Sequence, residues 1–210
     1  MFITFEGPEG AGKTTQARIL AERLKQWSPV VLTREPGGTP AGDELRRILL
    51  ATYAGVPAIA EAMIVAASRA CLISQVIQPA LREGKIVVCD RHCDTTYVIQ
   101  GYGMGVPLSY LRTICSLVTE GVQPDLTFLL DLPAVDGVQR KMQQPDEFGP
   151  MDERALALGE LYRKGYQELM LIDPHRWRVI AATQYIDVIA LQIYWHTITH
   201  QQFIFNLFAA

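Results

Sequence analysis

The sequence predicts an α/β fold: five parallel strands in one sheet, with helices on both faces. Three observations carry that expectation. Short runs of branched and aromatic residues, too short for independent helices, alternate with longer stretches of helical apolar spacing. The alternation repeats along the chain, which is the pattern of an open parallel sheet. The first strand runs directly into a glycine-rich turn that opens a helix.

Taken in order, strands are expected over Phe2–Phe5, Val30–Thr33, Ile86–Cys89, Leu126–Leu130 and Arg178–Ile180. Helical spacing over Thr14–Trp27 puts Ala17, Leu20, Ala21 and Leu24 on one face. Further helices are expected over Gly42–Leu50, Ile59–Leu81, Tyr110–Thr119, Ala134–Met142 and Asp152–Leu171, with a C-terminal helix and tail within 184–210. No internal repeat, low-complexity tract or linker interrupts the chain, so one domain over 1–210 is expected. The polar stretch from Gln139 to Arg154, with Pro145, Gly149 and Pro150, reads as a short mobile lid.

The 210 residues are 49% hydrophobic and 20% charged, with a net charge of −3. That composition excludes a disordered chain and gives no support to a strongly basic nucleic-acid binder. The cysteines, Cys71, Cys89, Cys93 and Cys115, form no CxxC pair and are expected as reduced thiols. Residues 1–10 lack the basic start of a leader. The most apolar stretch, Ile186 to Ala210, is interrupted by His196, Thr197, Thr199, His200, Gln201 and Gln202. A cytoplasmic protein with no membrane span is expected.

Gly7-Pro8-Glu9-Gly10-Ala11-Gly12-Lys13-Thr14 fits GxxxxGK[ST] in the strand–loop–helix context that the motif requires. Glycines let backbone N–H groups turn inward around a phosphate, and the helix N-terminus adds positive potential. The loop from Gly7 to Thr15 should therefore hold the phosphates of a nucleoside triphosphate, which the resemblance given below makes ATP. Lys13 would reach the β- and γ-phosphates, and Thr14 would ligate Mg²⁺. The motif by itself fixes nucleoside triphosphate binding and does not separate a switch, a motor and a kinase.

Four further segments separate them: Phe5-Glu6-Gly7, Thr33-Arg34-Glu35-Pro36-Gly37-Gly38-Thr39, Asp90-Arg91-His92 with Gln100-Gly101, and Pro124-Asp125-Leu126-Thr127. Together with the phosphate loop they resemble bacterial thymidylate kinase, of the P-loop nucleoside monophosphate kinases. The resemblance runs from about residue 2 to about residue 183 and implies the three-layer fold of those kinases. It implies transfer of the ATP γ-phosphoryl to dTMP, with Mg²⁺, in a homodimer that binds neither nucleic acid nor membrane. No guanine-reading NKxD-like motif is present, which argues against a GTPase switch.

The resemblance also assigns residues. Arg91 would grip the acceptor phosphate, Arg34 would face the same phosphates, and Asp90 would lie near the metal. Glu9 would meet the sugar 3′-hydroxyl, with a solvated loop acid as the alternative. Arg69 would donate to a thymine carbonyl, with an internal salt bridge as the alternative. A loop-bracing pair with Glu35 is the alternative for Arg34. Pro36, Val65, Thr95, Thr96 and Gln100 would line the acceptor pocket. Tyr166 would lie near the deoxyribose or serve as a core tyrosine.

The sequence departs from the family in three places. Val65 stands where the family carries a base-stacking phenylalanine, Ile99 where its AYQG turn has tyrosine, and Met104 where its GxGRG-like turn has arginine. In the lid, Asp146-Glu147-Phe148-Gly149 puts an acid where a DRFE-like sequence supplies a catalytic arginine. Arg140, Lys141 and Arg154 are then the candidate replacements, or plain charges of a solvated flap. The tail Phe203–Phe208 is unusually aromatic, packed either on its own domain or on a partner. Two alternatives to dTMP phosphorylation follow: a kinase of another or 5-substituted pyrimidine deoxynucleotide, and a weakly active nucleotide-binding module.

Overall fold

Branched, apolar runs at the sheet's centre become buried strands because both of their faces are covered, while the two edge strands, over 30–34 and 177–181, are only partly buried. The structure, a computed structural model, describes residues 1–51, 55–143, 150–201 and 203, with the backbone alone for 150–152. The strands are β1 (Phe2–Glu6), β2 (Val30–Arg34), β3 (Ile86–Asp90), β4 (Leu126–Asp131) and β5 (Trp177–Ala181). They lie in the order β2-β3-β1-β4-β5, and every neighbouring pair is parallel. Thr4 of β1 registers with Cys89 of β3 on one side and with Thr127 of β4 on the other. Each strand expected from sequence forms, extended by one residue at one or both ends.

Helices α1 (Lys13–Leu24) and α9 (Ile186–Ile198) cover one face. There Ala17, Leu20, Leu24, Ile189 and Ile193 join Phe5, Val88 and Phe128 in one cluster. The other face packs α3 (Ala58–Leu72) and α4 (Gln78–Arg82) through Leu72, Ile77 and Ala80 against Phe2 and Val87. Helix α8 (Pro150–Ile172) lies beside them through Tyr162, Tyr166 and Leu169. The remaining helices are α2 (Pro40–Ala51), α5 (Cys93–Thr96), α6 (Leu108–Thr119) and α7 (Ala134–Met142).

Three differences from the sequence reading matter. The helix expected over Ile59–Leu81 is α3 and α4 joined by a π-helical stretch, Ile73–Ile77. The segment Cys93–Gly103, expected as no helix, is α5 followed by π-helical Tyr97–Gly103. Its Thr95, Thr96, Val98 and Ile99 are poor helix formers, so tertiary packing overrides local propensity there. Finally, among the described residues the helical span long and apolar enough to cross a membrane is Ala58–Arg82, and not the C-terminal stretch singled out from sequence. It carries the buried Glu61 and Arg69 and forms a layer of the core.

The chain leaves β1 for β2, returns through β3, and crosses to β4 on the other side of β1. The C-terminal ends of β1 and β3 therefore open a crevice at the point where the strand order reverses, the place where such sheets bind ligands.

Candidate active site

The loop after β1 is shaped by close backbone approaches that only glycine allows. A Cβ on Gly7 (φ +135°) would lie 2.5 Å from the Leu130 carbonyl oxygen. One on Gly10 (φ +71°) would lie 2.0 Å from the Gly137 carbonyl oxygen of α7. Gly12, also left-handed, caps α1, and Ala11 is buried beneath the loop. The buried Lys13 turns back into the loop, donating from Nζ to the Pro8 carbonyl at 2.6 Å. Burial, reinforced by Arg91, brings its ammonium down to about 8. Thr14 donates its hydroxyl to Asp90 Oδ2, which ties the start of α1 to the end of β3. Asp90 Oδ1 is buried with no hydrogen-bond partner among the described residues. An orphaned carboxylate oxygen beside a threonine hydroxyl is a hard oxygen donor set that fits Mg²⁺. Thr15 is exposed on the first turn of α1.

Arg91 follows β3 in a left-handed conformation, φ +74°, which a non-glycine residue adopts only under local constraint. Its N–H donates to the Phe5 carbonyl at 2.9 Å and anchors the turn. The guanidinium donates to Glu9 Oε1 and, at 3.2 Å, to Thr95 Oγ1. Burial would raise the Glu9 carboxyl, but Arg91, Lys13, Lys141 and Arg46 outweigh it and hold the group at about 2. Arg46 escaped the sequence reading. It lies four residues after Gly42 and three before Leu49, the buried positions of α2, so helical spacing already pointed it inward. Its guanidinium donates to the Pro36 carbonyl at 3.1 Å, and its charge acts on Glu9 and Asp90. Arg34 is 58% exposed, and its ion-pair partner is Asp43, at 3.8 Å.

Glu35 is instead buried, between Arg69 Nε at 2.6 Å and His92 Nδ1 at 2.9 Å. Burial opposes its ionisation, but the Arg69 and His92 charges bring its carboxyl below the usual range. Arg69 is 1% exposed and also donates to Thr96 Oγ1 at 2.9 Å and Cys115 Sγ at 3.3 Å. The internal ion pair weighed as its alternative is thus present. Three of its five N–H groups are engaged in these bonds.

Under the loop, Glu6 accepts from the His92 N–H at 2.8 Å, from the Thr95 hydroxyl and from the Tyr166 hydroxyl at 3.2 Å. Burial, then the Asp94 charge, raises the Glu6 carboxyl to about 7. Tyr166 is a buried core tyrosine: its ring packs near Trp177, and its hydroxyl reaches Glu6 and Thr95. Gln100 is buried in the π-helical turn, beyond Thr96, and donates from Nε2 to Glu61 Oε1 at 2.7 Å. Val65 and Ile99 are buried, and Met104 is partly so.

The candidate lid cations separate. Arg140 donates to the Gly10 carbonyl at 3.4 Å and to the Ala182 carbonyl at 2.9 Å, against the phosphate loop. Lys141 acts on Glu9 through its charge. Arg154 makes a two-pronged pair with Glu61, at 2.8 and 3.0 Å. Asp146-Glu147-Phe148-Gly149 and the tail from Ile204 lie outside the described residues. Phe203 packs on its own domain, edge-on to Trp27.

Comparison with known proteins decides the family. The thymidylate kinase family model matches residues 5–193. The chain belongs to the thymidylate kinase family. It is 46% identical over 206 residues to the thymidylate kinase of Roseiflexus sp. (strain RS-1), covering 92% of this chain and 91% of that one. To the thymidylate kinase of Deinococcus radiodurans it is 41% identical over 197 residues, covering 92% and 94%. The crystal structure of thymidylate kinase from Ehrlichia chaffeensis superposes with a TM-score of 0.73 at 34% identity, covering 92% of this chain and 95% of that one. Membership makes the protein an enzyme of the nucleoside monophosphate kinase type. A kinase of another pyrimidine nucleotide and a weakly active module are not favoured by these relatives.

Proposed function

We propose that the protein transfers the γ-phosphoryl group of ATP to dTMP, giving dTDP, on the site built by β1, β3 and α7. The observation that carries it is the Arg91–Glu9 pair. It joins a guanidinium at the end of β3 to the middle of the triphosphate loop, so donor and acceptor sites share one contact. Arg91 presents a planar fork suited to two oxygens of the acceptor phosphate. Arg46 adds a second cation, and Arg34 stands ready at the rim. Glu9, an acceptor only, suits the sugar hydroxyl. The acceptor phosphate is already ionised, so positioning and charge neutralisation supply the catalysis and no strong base is needed.

Lys13 would move from the Pro8 carbonyl to the β- and γ-phosphates. Thr14 and Asp90 would hold Mg²⁺, which when bound neutralises phosphate charge. Arg140 and Lys141, on the helix that touches Gly10, are the cations best placed for the phosphates. Arg69, which uses three of its N–H groups on described residues, and the Gln100 carbonyl are suited to the thymine edge.

A cytoplasmic homodimer without membrane or nucleic-acid partners completes the reading. Exposed Ile59 and Met63 on α3, and Tyr110 and Leu117 on α6, support a second copy as partner. The test is ADP release from ATP·Mg²⁺ with dTMP, dUMP or dCMP, with Lys13→Ala as control. dTMP-dependent turnover that disappears in the variant is expected. Turnover no faster than the Lys13→Ala level would overturn the reading.

A further inference from the structure

We propose that Glu61 and Arg154 are positioning residues that fix the amide of Gln100, so that its carbonyl selects a base carrying an N3–H. This rests on the acceptor reading above and adds how specificity is set.

Glu61 is 1% exposed and Gln100 is 3% exposed. A carboxylate accepts hydrogen bonds and does not donate them. The 2.7 Å contact between them therefore requires the Gln100 NH₂ to face Glu61. The other atom of the amide, Oε1, is then the one left over, and it is buried with no hydrogen-bond partner among the described residues. A buried carbonyl in that condition costs free energy unless a ligand donates to it. Thymine and uracil carry a donor at N3, whereas neutral cytosine has a bare acceptor there. A flipped amide would reverse the preference, so whatever prevents the flip sets specificity.

Glu61 can prevent it only while its acceptor oxygens stay fixed in place. Arg154 provides that. It reaches from the start of α8 and grips both Glu61 oxygens, at 2.8 and 3.0 Å, in the fork geometry that holds a carboxylate in one orientation. The same NH1 lies 3.0 Å from Met104 Sδ. Position 104 is where the family resemblance calls for an arginine. In this chain a guanidinium occupies the neighbourhood of side chain 104 from another helix, and Met104 packs under it. Arg154 therefore belongs to the base side of the site, 93 residues from its partner in sequence, and the phosphate side is left to α7.

The experiment measures calorimetric Kd for dTMP and dCMP alongside turnover, in the full chain and in three variants. Glu61→Gln lets the Gln100 amide sit either way, and the preference for dTMP over dCMP should shrink by about tenfold or more. Arg154→Met should weaken dTMP binding and raise its KM by about tenfold while kcat changes by less than about threefold. Met104→Arg combined with Arg154→Met returns a guanidinium to Glu61 and should recover most of the lost affinity. Thermal melts identify a variant that fails to fold. If Glu61→Gln fails, Arg154→Met and the double variant carry the test. An unchanged dTMP-to-dCMP preference in the folded variants overturns the proposal. So does an Arg154→Met enzyme with lower kcat and unaltered dTMP affinity, the signature of a phosphoryl cation. Loss of turnover in the parent chain with nucleotide binding intact would count against the kinase reading, and the binding ratios would still judge this one.

Discussion

Arg69 shows how one buried side chain ties the site to the core. Its guanidinium links Glu35 of the loop after β2, Thr96 of α5 and Cys115 of α6. Glu35 in turn holds His92, next to Arg91. Removing the guanidinium leaves a buried carboxylate facing a histidine alone. Arg69→Met is expected to cost about 3–5 kcal/mol of stability, the usual range when one partner of a buried pair is lost. Urea unfolding measures it. A loss below about 1 kcal/mol would mean that Glu35 finds other support. Arg69→Lys should recover part of the stability, since an ammonium pairs with Glu35 but lacks the fork that reaches Thr96 and Cys115.

At the scale of elements, α7 and the phosphate loop meet backbone to backbone. A Cβ on Gly137 would lie 2.1 Å from the Glu9 carbonyl oxygen, as one on Gly10 would approach Gly137. Neither neighbour is a flexible side-chain end, so Gly137→Ala must move the helix or the loop. The expected cost is about 1–3 kcal/mol. A larger effect is expected on kcat/KM for ATP than on dTMP affinity, because Arg140 and the loop move together. Equal losses for both nucleotides would point to general destabilisation instead. The π-helical turn Tyr97–Gly103 is the other decisive element. Its wider winding carries Gln100 and Met104 toward Glu61 and Arg154, and such turns often mark functional sites.

For the whole molecule, two acids of the site, the buried Glu6 and the half-buried Glu9, set opposing pH dependences. Glu6 has its carboxyl raised to about 7, so the folded state holds a proton that the unfolded chain releases near 4.5. Its contribution is therefore intact at low pH and is lost as pH rises from about 4.5 through about 7. Glu9, held at about 2, does the reverse: its contribution is present above about 4.5 and fades as pH falls toward 2. Glu6→Gln should consequently gain stability relative to the parent between about pH 5 and about pH 8, by roughly 2–3 kcal/mol. Melting temperatures of both proteins across that range test the sign, and parallel curves would remove Glu6 as the source. Light scattering should give twice the 23.4 kDa chain mass if the apolar faces of α3 and α6 meet a second copy.

The features legible in the residues alone follow from short-range rules. Strand runs, helical spacing and the phosphate loop are each legible within a dozen residues, because strand burial, helix periodicity and glycine conformation are local properties. The loop after β2 and the Asp90-Arg91-His92 turn were legible as a family resemblance, and the family comparison agrees. Partner choice was not legible. Arg69 pairs with Glu35 across 34 positions and Arg154 with Glu61 across 93, and the periodicity of either helix names only a face. Arg46 carried a usable signal, its register with Gly42 and Leu49, but only the fold brings that face of α2 to Glu9 and Arg91. Tertiary structure also made a helix of Cys93–Gly103 against its β-branched composition, because buried packing and the Glu6, Glu61 and Arg69 contacts outweigh propensities of less than about 1 kcal/mol per residue. Which cation lies against the phosphate loop, Arg140, and which pairs with Glu61, Arg154, was decided the same way, by where each helix is packed and not by its charge.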